Sequence, residues 1–526
     1  MAAESHAVDL SHAMFTQPVA FADWLVIAPV VTTIIGGAIC LMTRKQTTLQ
    51  PWIGTFVMAL LVAIDAALLL RVVNNGPVTM VMGNWLPPFG IAFTVDAFGA
   101  LMALVGAVIA LTGSVYALVD VRTLSRRYGF YPLLMLLMTG VSGAFLTGDI
   151  FNLYVWFEVT LISSFGLLIL GSSRPQLDGA VKYAFLNLIA TTLFLVAVGY
   201  LYGVLGTLNM ADIVRSVREL PDAAPIGTIA ALFLLAFAMK AAAFPINFWL
   251  PASYHTPRIV VGAVFAGLLT KVGVYSLIRI LVMLMPENRA AMSDIIVWLA
   301  IGTMLSGVLG ALAQNDIRRM LGYLVVSGIG SMLVGLALGT ADAVGGALLY
   351  AIHSMLVMTA LYYLAGIMRR TGGAFDLAGL GGLYGANPLL AGLFLVLGLA
   401  VSGLPPFSGF WPKVVLVEAS LKAGEGLLAA AILLTGFLTT LAVGRVWLFA
   451  FWRGGPLGTP DGAEHLPTAR VPHETRLAAY LPVFFLVALI VWLGVWPEPV
   501  FAVANQSALG MVDPSAYLDS VFGGSE

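Results

Sequence analysis

The chain has 526 residues, 60% of them hydrophobic and only 10% charged, with a mean hydropathy of +0.98. Soluble domains carry roughly 25% charged residues, so a water-soluble globular protein is excluded. Lys and Arg (25) nearly cancel Asp and Glu (26), which leaves no basic excess to hold a nucleic acid.

A membrane-crossing helix needs about 20 predominantly apolar residues. Windows of that size predict spans over 24–42, 52–70, 96–118, 131–146, 150–170, 179–205 and 226–249, then over 259–284, 295–313, 320–338, 343–368, 388–419, 427–452 and 477–496. The chain therefore reads as an all-α polytopic membrane protein with about 14 transmembrane helices. Met1–Thr16 is polar and slightly acidic, with no basic start leading into a short apolar core, so no cleaved signal peptide is expected. Between the second and third spans, Asn74-Asn75-Gly76 and Trp85-Leu86-Pro87-Pro88 predict turns or a hairpin. Met210–Leu220 reads as a short amphipathic surface helix, and the Gly- and Pro-rich stretch 454–473 as an irregular loop. The single cysteine, Cys40, can form neither an internal disulfide nor a thiolate cluster, and the six histidines form no metal-binding array. Neither metal nor cofactor is expected, and no set of nucleophile and base indicates an enzyme.

Short loops rich in Lys and Arg stay on the cytoplasmic side. Alternate loops carry Arg44 and Lys45; Arg122, Arg126 and Arg127; Arg174; Arg258; Arg318 and Arg319; Arg369 and Arg370; and Arg453, Arg470 and Arg476. The other side holds only Arg71, Arg215, Arg218, Arg279, Arg289 and Lys422. Both termini are therefore expected outside.

Ionisable groups remain within the spans: Asp65, Glu158, Lys182, Lys240, Lys271, His353, Lys413, Glu418 and Arg445. A charge at the bilayer centre costs at least ~2.5–3.5 kcal/mol on insertion scales, so each needs a partner, a wet cavity or a task. Apolar surroundings disfavour a charged amine and a nearby carboxylate favours it. Separating Glu158 from a lysine would therefore release that lysine's proton. A series of such lysines, Lys240, Lys271 and Lys413, provides stepwise transfer, and His353 could relay between the last two because an imidazole accepts at one nitrogen and donates from the other. The plain alternative is that each lysine only pairs two helices. Lys182 lies near a span end, where it could snorkel out, and Glu418 is an exit group or merely a neighbour of Lys422. Asp65 has no evident partner and is assigned a structural or subunit-contact role, and Arg445 a helix–helix anchor.

Pro245 follows Lys240 closely, while Pro405, Pro406 and Pro412 precede Lys413. Proline interrupts helical hydrogen bonding, and irregular backbone at membrane depth survives only against protein or a water-filled cavity. The broken helices are the seventh and twelfth, so they run in opposite directions, the mark of an inverted-repeat transporter.

At these residues the sequence resembles the antiporter-like subunits shared by respiratory complex I and the Mrp multisubunit sodium/proton antiporters. The resemblance is carried by Leu153-Tyr-Val-Trp-Phe-Glu158-Val, Lys182-Tyr-Ala-Phe-Leu-Asn187, Lys240-Ala-Ala-Ala-Phe-Pro-Ile-Asn-Phe-Trp-Leu-Pro251 with Ser253-Tyr-His-Thr-Pro257, and Thr270-Lys271-Val-Gly-Val-Tyr. It continues through Gln314-Asn-Asp-Ile-Arg-Arg-Met-Leu-Gly-Tyr323, His353-Ser-Met and Gly403-Leu-Pro-Pro-Phe-Ser-Gly-Phe-Trp-Pro-Lys413, in the family's order. It implies two inverted five-helix repeats, spans 4–8 and 9–13, with helices 7 and 12 broken. The implied divisions are 1–128 (three N-terminal helices), 129–285 and 291–453 (the repeats), and 454–526 (a cytoplasmic loop, the last helix and an external tail). Carried over by position, Glu158 and Lys240 are the coupling pair, Lys271 the central relay and Lys413 the outer group. A lysine at 413, the outer loop Gly83–Gly90 and the stop after one more span are similar to the D-type chains of Mrp assemblies. The resemblance implies a proton-translocating subunit of a sodium/proton antiporter in the bacterial inner membrane, with A-, B-, C-, E-, F- and G-like chains as partners. It would carry protons directly and be linked to sodium indirectly. A proton-pumping subunit of complex I or of a membrane-bound hydrogenase, and a scaffold subunit, are the alternatives.

Overall fold

A computed structural model describes residues 20–85, 89–219, 224–457 and 473–523. Three expectations lie outside them: the polar amino-terminal stretch, the Pro87-Pro88 turn and most of the 454–473 loop.

Among the described residues, ten helices are long and apolar enough to cross a membrane. We number the apolar helices in chain order, beginning with α1 (Ala28–Met42), α2 (Gln50–Asn75), α3 (Ala97–Asp120), α4 (Phe130–Leu146), α5 (Ile150–Ile169), α6 (Arg174–Leu205) and α7 (Ile226–Ala241). They continue with α8 (Ile259–Leu284), α9 (Ser293–Ala313), α10 (Ile317–Leu338), α11 (Ala341–Gly372), α12 (Pro388–Ser402), α13 (Gly426–Trp452) and α14 (Arg476–Val495). Each expected span meets one of them. However, α1, α4, α7 and α12 are shorter apolar helices of 15, 17, 16 and 15 residues. The chain breaks after α7 and again after α12, and the expected long helices resume as Trp249–Tyr254 and Phe410–Lys422.

The two breaks have the same backbone. In the first, the Ala242 N–H donates to Met239 O (3.2 Å) and the Ala243 N–H to Ala238 O (2.9 Å). In the second, Gly403 donates to Ala400 O (3.0 Å) and Leu404 to Leu399 O (3.1 Å). Each is a paired Schellman closure around a left-handed residue, Ala242 (φ +59°) or Gly403 (φ +83°). From 238 to 399 and from 243 to 404 the offset is 161 residues. A cis X–Pro bond follows in each, Phe244-Pro245 and Pro405-Pro406, at the same offset. Nearer the start of the repeats, isolated bridges join Asp149 to Asn209 and Asp316 to Asp376. Each of Asp149 and Asp316 caps the following helix through its carboxylate, and from 149 to 316 and from 209 to 376 the offset is 167.

Helix α8 is buried along its whole length and α11 everywhere but at its two ends, and together they form the centre of the molecule. An antiparallel hairpin, Val78–Val81 with Ala92–Val95, connects α2 to α3 and accepts the Gly148 N–H at Ala92 O (2.9 Å), and a buried ion pair joins the N-terminal helices to α8. Arg279 grips Asp96 at 2.6 and 2.8 Å with its two terminal nitrogens. It also donates to the Tyr275 hydroxyl (2.8 Å), while Asp96 caps α3 through the Gly99 N–H (2.9 Å). Charge counting places Arg279 in an outer loop; it is instead 1% exposed. Met210–Glu219 is helical as expected and buries Met210, Ala211, Ile213 and Val214.

The expected tail after α14 is instead two packed helices, Glu498–Val512 and Ser515–Phe522. Ala504, Ala508 and Met511 recur at helical spacing and are buried, which gives the first of them an apolar face. Gln506 donates to Val73 O (3.3 Å), and Ser520 bonds the Thr79 hydroxyl (3.0 Å), so both helices rest on the N-terminal unit.

Candidate functional site

The site begins at the first break. Lys240 occupies the last turn of α7, where unpaired carbonyls and the helix dipole favour a cation. It is buried (5% exposed), and its amine lies over the Phe157 ring, 4.7 Å from the centroid. Glu158, the next residue on α5, is half-buried and within electrostatic reach of Lys240. Among the described residues Glu158 makes no ion pair, so in this conformation the two groups are neighbours rather than partners in contact. Around the amine lies a small hollow, lined also by Thr160, Tyr183 and Asn187. Asn187 falls within a stretch that carries the family resemblance, yet nothing in the sequence assigns it a role. Its place beside Lys240 depends on how α6 packs against α7, which periodicity does not reveal.

Lys271 is fully buried on α8 and donates to the carbonyl of Ala266 (2.6 Å) in its own helix. The adjacent Thr270 hydroxyl is buried without a partner among the described residues. His353, on α11, is 2% exposed and within electrostatic reach of both Lys271 and Lys413. Its Nδ1 shares a hydrogen bond with the Ser408 hydroxyl (2.8 Å), in the second break. Lys413 lies just after that break and reaches back across it to donate to Ser402 O (2.6 Å), the C-terminal carbonyl of α12. Each break therefore presents the C-terminal end of a half-helix to a lysine, once from within the half-helix and once from the piece that follows.

Glycines leave room for the second lysine and for the histidine. A Cβ on Gly403 would lie 2.7 Å from Lys413 Nζ, and one on Gly409 would lie 2.9 Å from His353 Nε2. The breaks are tied down differently. The Phe244 N–H donates to Thr303 Oγ1 (2.9 Å) and Asn247 to Ser306 (2.7 Å), which fastens the first break to α9. The second is fastened to α14 by Trp411, whose Nε1 donates to Gly494 O (2.8 Å).

Four residues lie off this line. Lys182 is exposed and pairs with Asp178 one turn away (2.6 Å). Glu418 is exposed and pairs with Lys422 (2.9 Å), which also meets Asp342 (3.3 Å). Arg445 donates to Leu312 O and Gln314 O and bonds Asn315, an anchor between α13 and the end of α9. Asp65 is fully buried with neither carboxylate oxygen hydrogen-bonded among the described residues, so it is not placed for contact with another subunit.

Residues 147–439 match the family model described as NADH:quinone oxidoreductase/Mrp antiporter, transmembrane. A relative in Alkalihalophilus pseudofirmus, the D-type subunit of a Na(+)/H(+) antiporter, is 37% identical over 94% of this chain and 99% of its own length. The corresponding D-type Na(+)/H(+) antiporter chain of Bacillus subtilis is 34% identical with the same coverage. Among solved structures, a chain of the Mrp complex from Dietzia sp. DQ12-45-1b superposes with a TM-score of 0.86 at 28% identity, over 95% of this chain and 99% of that one. The chain belongs to the NADH:quinone oxidoreductase/Mrp antiporter family of membrane proteins, among its D-type antiporter chains.

Proposed function

We propose that this multi-pass membrane protein is the proton-translocating subunit of a multisubunit sodium/proton antiporter, a transporter component rather than an enzyme, and that Glu158, Lys240, Lys271, His353 and Lys413 carry the proton. The supporting observation is the arrangement of amines: Lys240 (buried) and Lys413 (half-buried) lie at matched helix breaks, Lys271 is buried on α8, and His353, within electrostatic reach of Lys271 and Lys413, bonds Ser408 in the second break. Identities of 37% and 34% to D-type antiporter chains favour antiport over redox pumping.

Glu158 keeps Lys240 charged while the two are close. When Glu158 moves away, burial makes the charged amine costly, and the proton passes to Lys271. From there His353 and Ser408 hand it to Lys413. Moving one charge against 100 mV requires about 2.3 kcal/mol, which is within the reach of separating one buried pair. Sodium prefers several oxygen ligands, whereas this axis is made mostly of amines, so sodium is assigned to another chain of the assembly. The proposed setting is the bacterial inner membrane, with about fourteen crossings, the arginine-rich loops inside and both termini outside.

The test is sodium-driven proton movement in everted vesicles containing the complete complex. Glu158→Ala and Lys240→Ala, in complexes shown to assemble, are expected to lose it. Retention by both would leave a scaffold as the better reading.

A further inference from the structure

The two breaks are built alike but held differently. At the offset of 161 residues that relates 238 to 399, Phe244 corresponds to Pro405 and Asn247 to Ser408. The Phe244 N–H has no helical partner once α7 has ended, and it donates to Thr303 Oγ1 on α9 (2.9 Å). Pro405 has no N–H, so the second break needs no such acceptor. Asn247 donates to Ser306 on α9 (2.7 Å), whereas its counterpart Ser408 bonds His353 on α11 (2.8 Å).

Between those two contacts runs a continuous, closely packed column. Gly302 leaves α9 open to the Phe244 ring, since a Cβ there would lie 2.9 Å from it. On its other side α9 meets α10 backbone to backbone: a Cβ on Gly307 would strike Ser327, and one on Gly330 would lie 2.5 Å from the Met304 nitrogen. Helix α10 meets α11 in turn at Gly328, where a Cβ would lie 3.1 Å from the Tyr350 ring, and Ser331 bonds the Tyr350 hydroxyl. Tyr350 stands edge-on to His353 at 5.9 Å. Contacts this close leave no slack to absorb a displacement, so α9 and α10 behave as one piece.

We infer that the helical pair α9–α10 is the mechanical link between the two breaks, and that Ser306 is the positioning residue that latches the first break to it. The inference rests on the transport reading above and adds how the two ends of the lysine series are kept in step. When Asn247 shifts with the Lys240 break, its bond to Ser306 carries the displacement into α9. The rigid pair presents that displacement to Tyr350, beside His353 and its bond to Ser408. The link thus starts and finishes on equivalent residues of the two breaks and contains none of the lysines. Between Ser306 and Ser331 it runs through packed backbone, so it conveys position rather than protons.

The experiment is a double-mutant cycle on sodium-driven proton flux by the whole antiporter complex in everted vesicles, with rates normalised to assembled complex. Ser306→Ala removes the latch at one end, and Tyr350→Phe removes the hydroxyl at the other while keeping the ring against His353. Loss of one hydrogen bond on which turnover depends slows flux about fivefold, the expectation for each single variant. Independent lesions would multiply to about twenty-five-fold, whereas two cuts in one link leave the double variant slowed only about fivefold. Ser306→Thr keeps a hydroxyl and is expected to retain most of the flux. If Ser306→Ala complexes do not assemble, Thr303→Val, which removes the acceptor of the Phe244 N–H, takes its place in the cycle. Multiplicative loss in the double variant, wild-type flux in either single variant, or flux in Ser306→Thr as low as in Ser306→Ala overturns the link. Lys240→Ala is measured in parallel. Lost flux there with wild-type flux in the cycle variants refutes the link alone, whereas unimpaired flux in Lys240→Ala refutes the transport reading and the link with it.

Discussion

Replacing Gly403 with alanine challenges the second break at one atom. Gly403 has φ +83°, and an alanine in the left-handed region costs roughly 1–2 kcal/mol. The added Cβ would stand 2.5 Å from Lys413 Cδ and 2.7 Å from its Nζ, where ordinary contact begins near 3.4 Å. The amine must therefore retreat by about 0.7 Å or turn away, giving up much of its 2.6 Å bond to Ser402 O. A hydrogen bond from a charged donor contributes about 1.5–3 kcal/mol, which corresponds to a tenfold or greater change in rate if that geometry is used in turnover. The assay is sodium-dependent proton flux in everted vesicles, with assembly of the complex checked on native gels. The internal control is Ala242→Gly, the same backbone position 161 residues earlier, where the chain already bears a left-handed alanine (φ +59°). That change is expected to stabilise the protein by roughly 1 kcal/mol and to leave flux intact. Fully assembled Gly403→Ala complexes with wild-type flux would show that the position of the Lys413 amine is irrelevant to transport.

Three further outcomes follow from the geometry. Burial pushes the Asp149 carboxyl up to about 6, an effect partly offset by the N–H groups of Asn152 and Phe151. Because that value lies above the ordinary 3.8, its contribution to stability is full below about 3.8 and is lost as pH rises through about 6. Asp149→Asn keeps the cap without the charge, so it should match the wild type in melting temperature at low pH and exceed it at pH 8. Arg279→Ala leaves Asp96 buried and unpaired and should cost about 3–5 kcal/mol, seen as poor assembly; the Asp96→Asn/Arg279→Met double variant should recover part of it. Lys182→Ala, which removes one side of an exposed pair, should change stability by less than about 1 kcal/mol and leave flux near wild type.

Much of this organisation is legible in the sequence because the bilayer enforces it. Apolar runs locate the helices, and prolines beside lysines locate both breaks, since interrupted backbone and buried charge are each tolerated only at special sites. What escapes has no one-dimensional signal. Arg279 and Asp96 are 183 residues apart and stand near span ends, where they read as loop charges; only packing of α8 against the start of α3 makes them a buried pair. Ala242 hides its left-handed conformation because glycine is the usual mark of one. The spans 226–249 and 388–419 read as unbroken because hydropathy does not register where α7 and α12 end. The helices after α14 read as a tail although Ala504, Ala508 and Met511 already carry the helical spacing. Asp65 is the reverse case: its isolation is evident in the sequence and its complete burial in the fold, but nothing in the structure explains it.

The central claim is that the amines within the spans change protonation during transport rather than merely hold helices together. Lys413→Arg separates the two, because arginine keeps the charge and can still bond Ser402 O but does not release its proton. Sodium-driven proton flux by assembled Lys413→Arg complexes should fall to the level of Lys413→Ala. Flux near wild type in Lys413→Arg would contradict the account, since a fixed positive charge would then suffice.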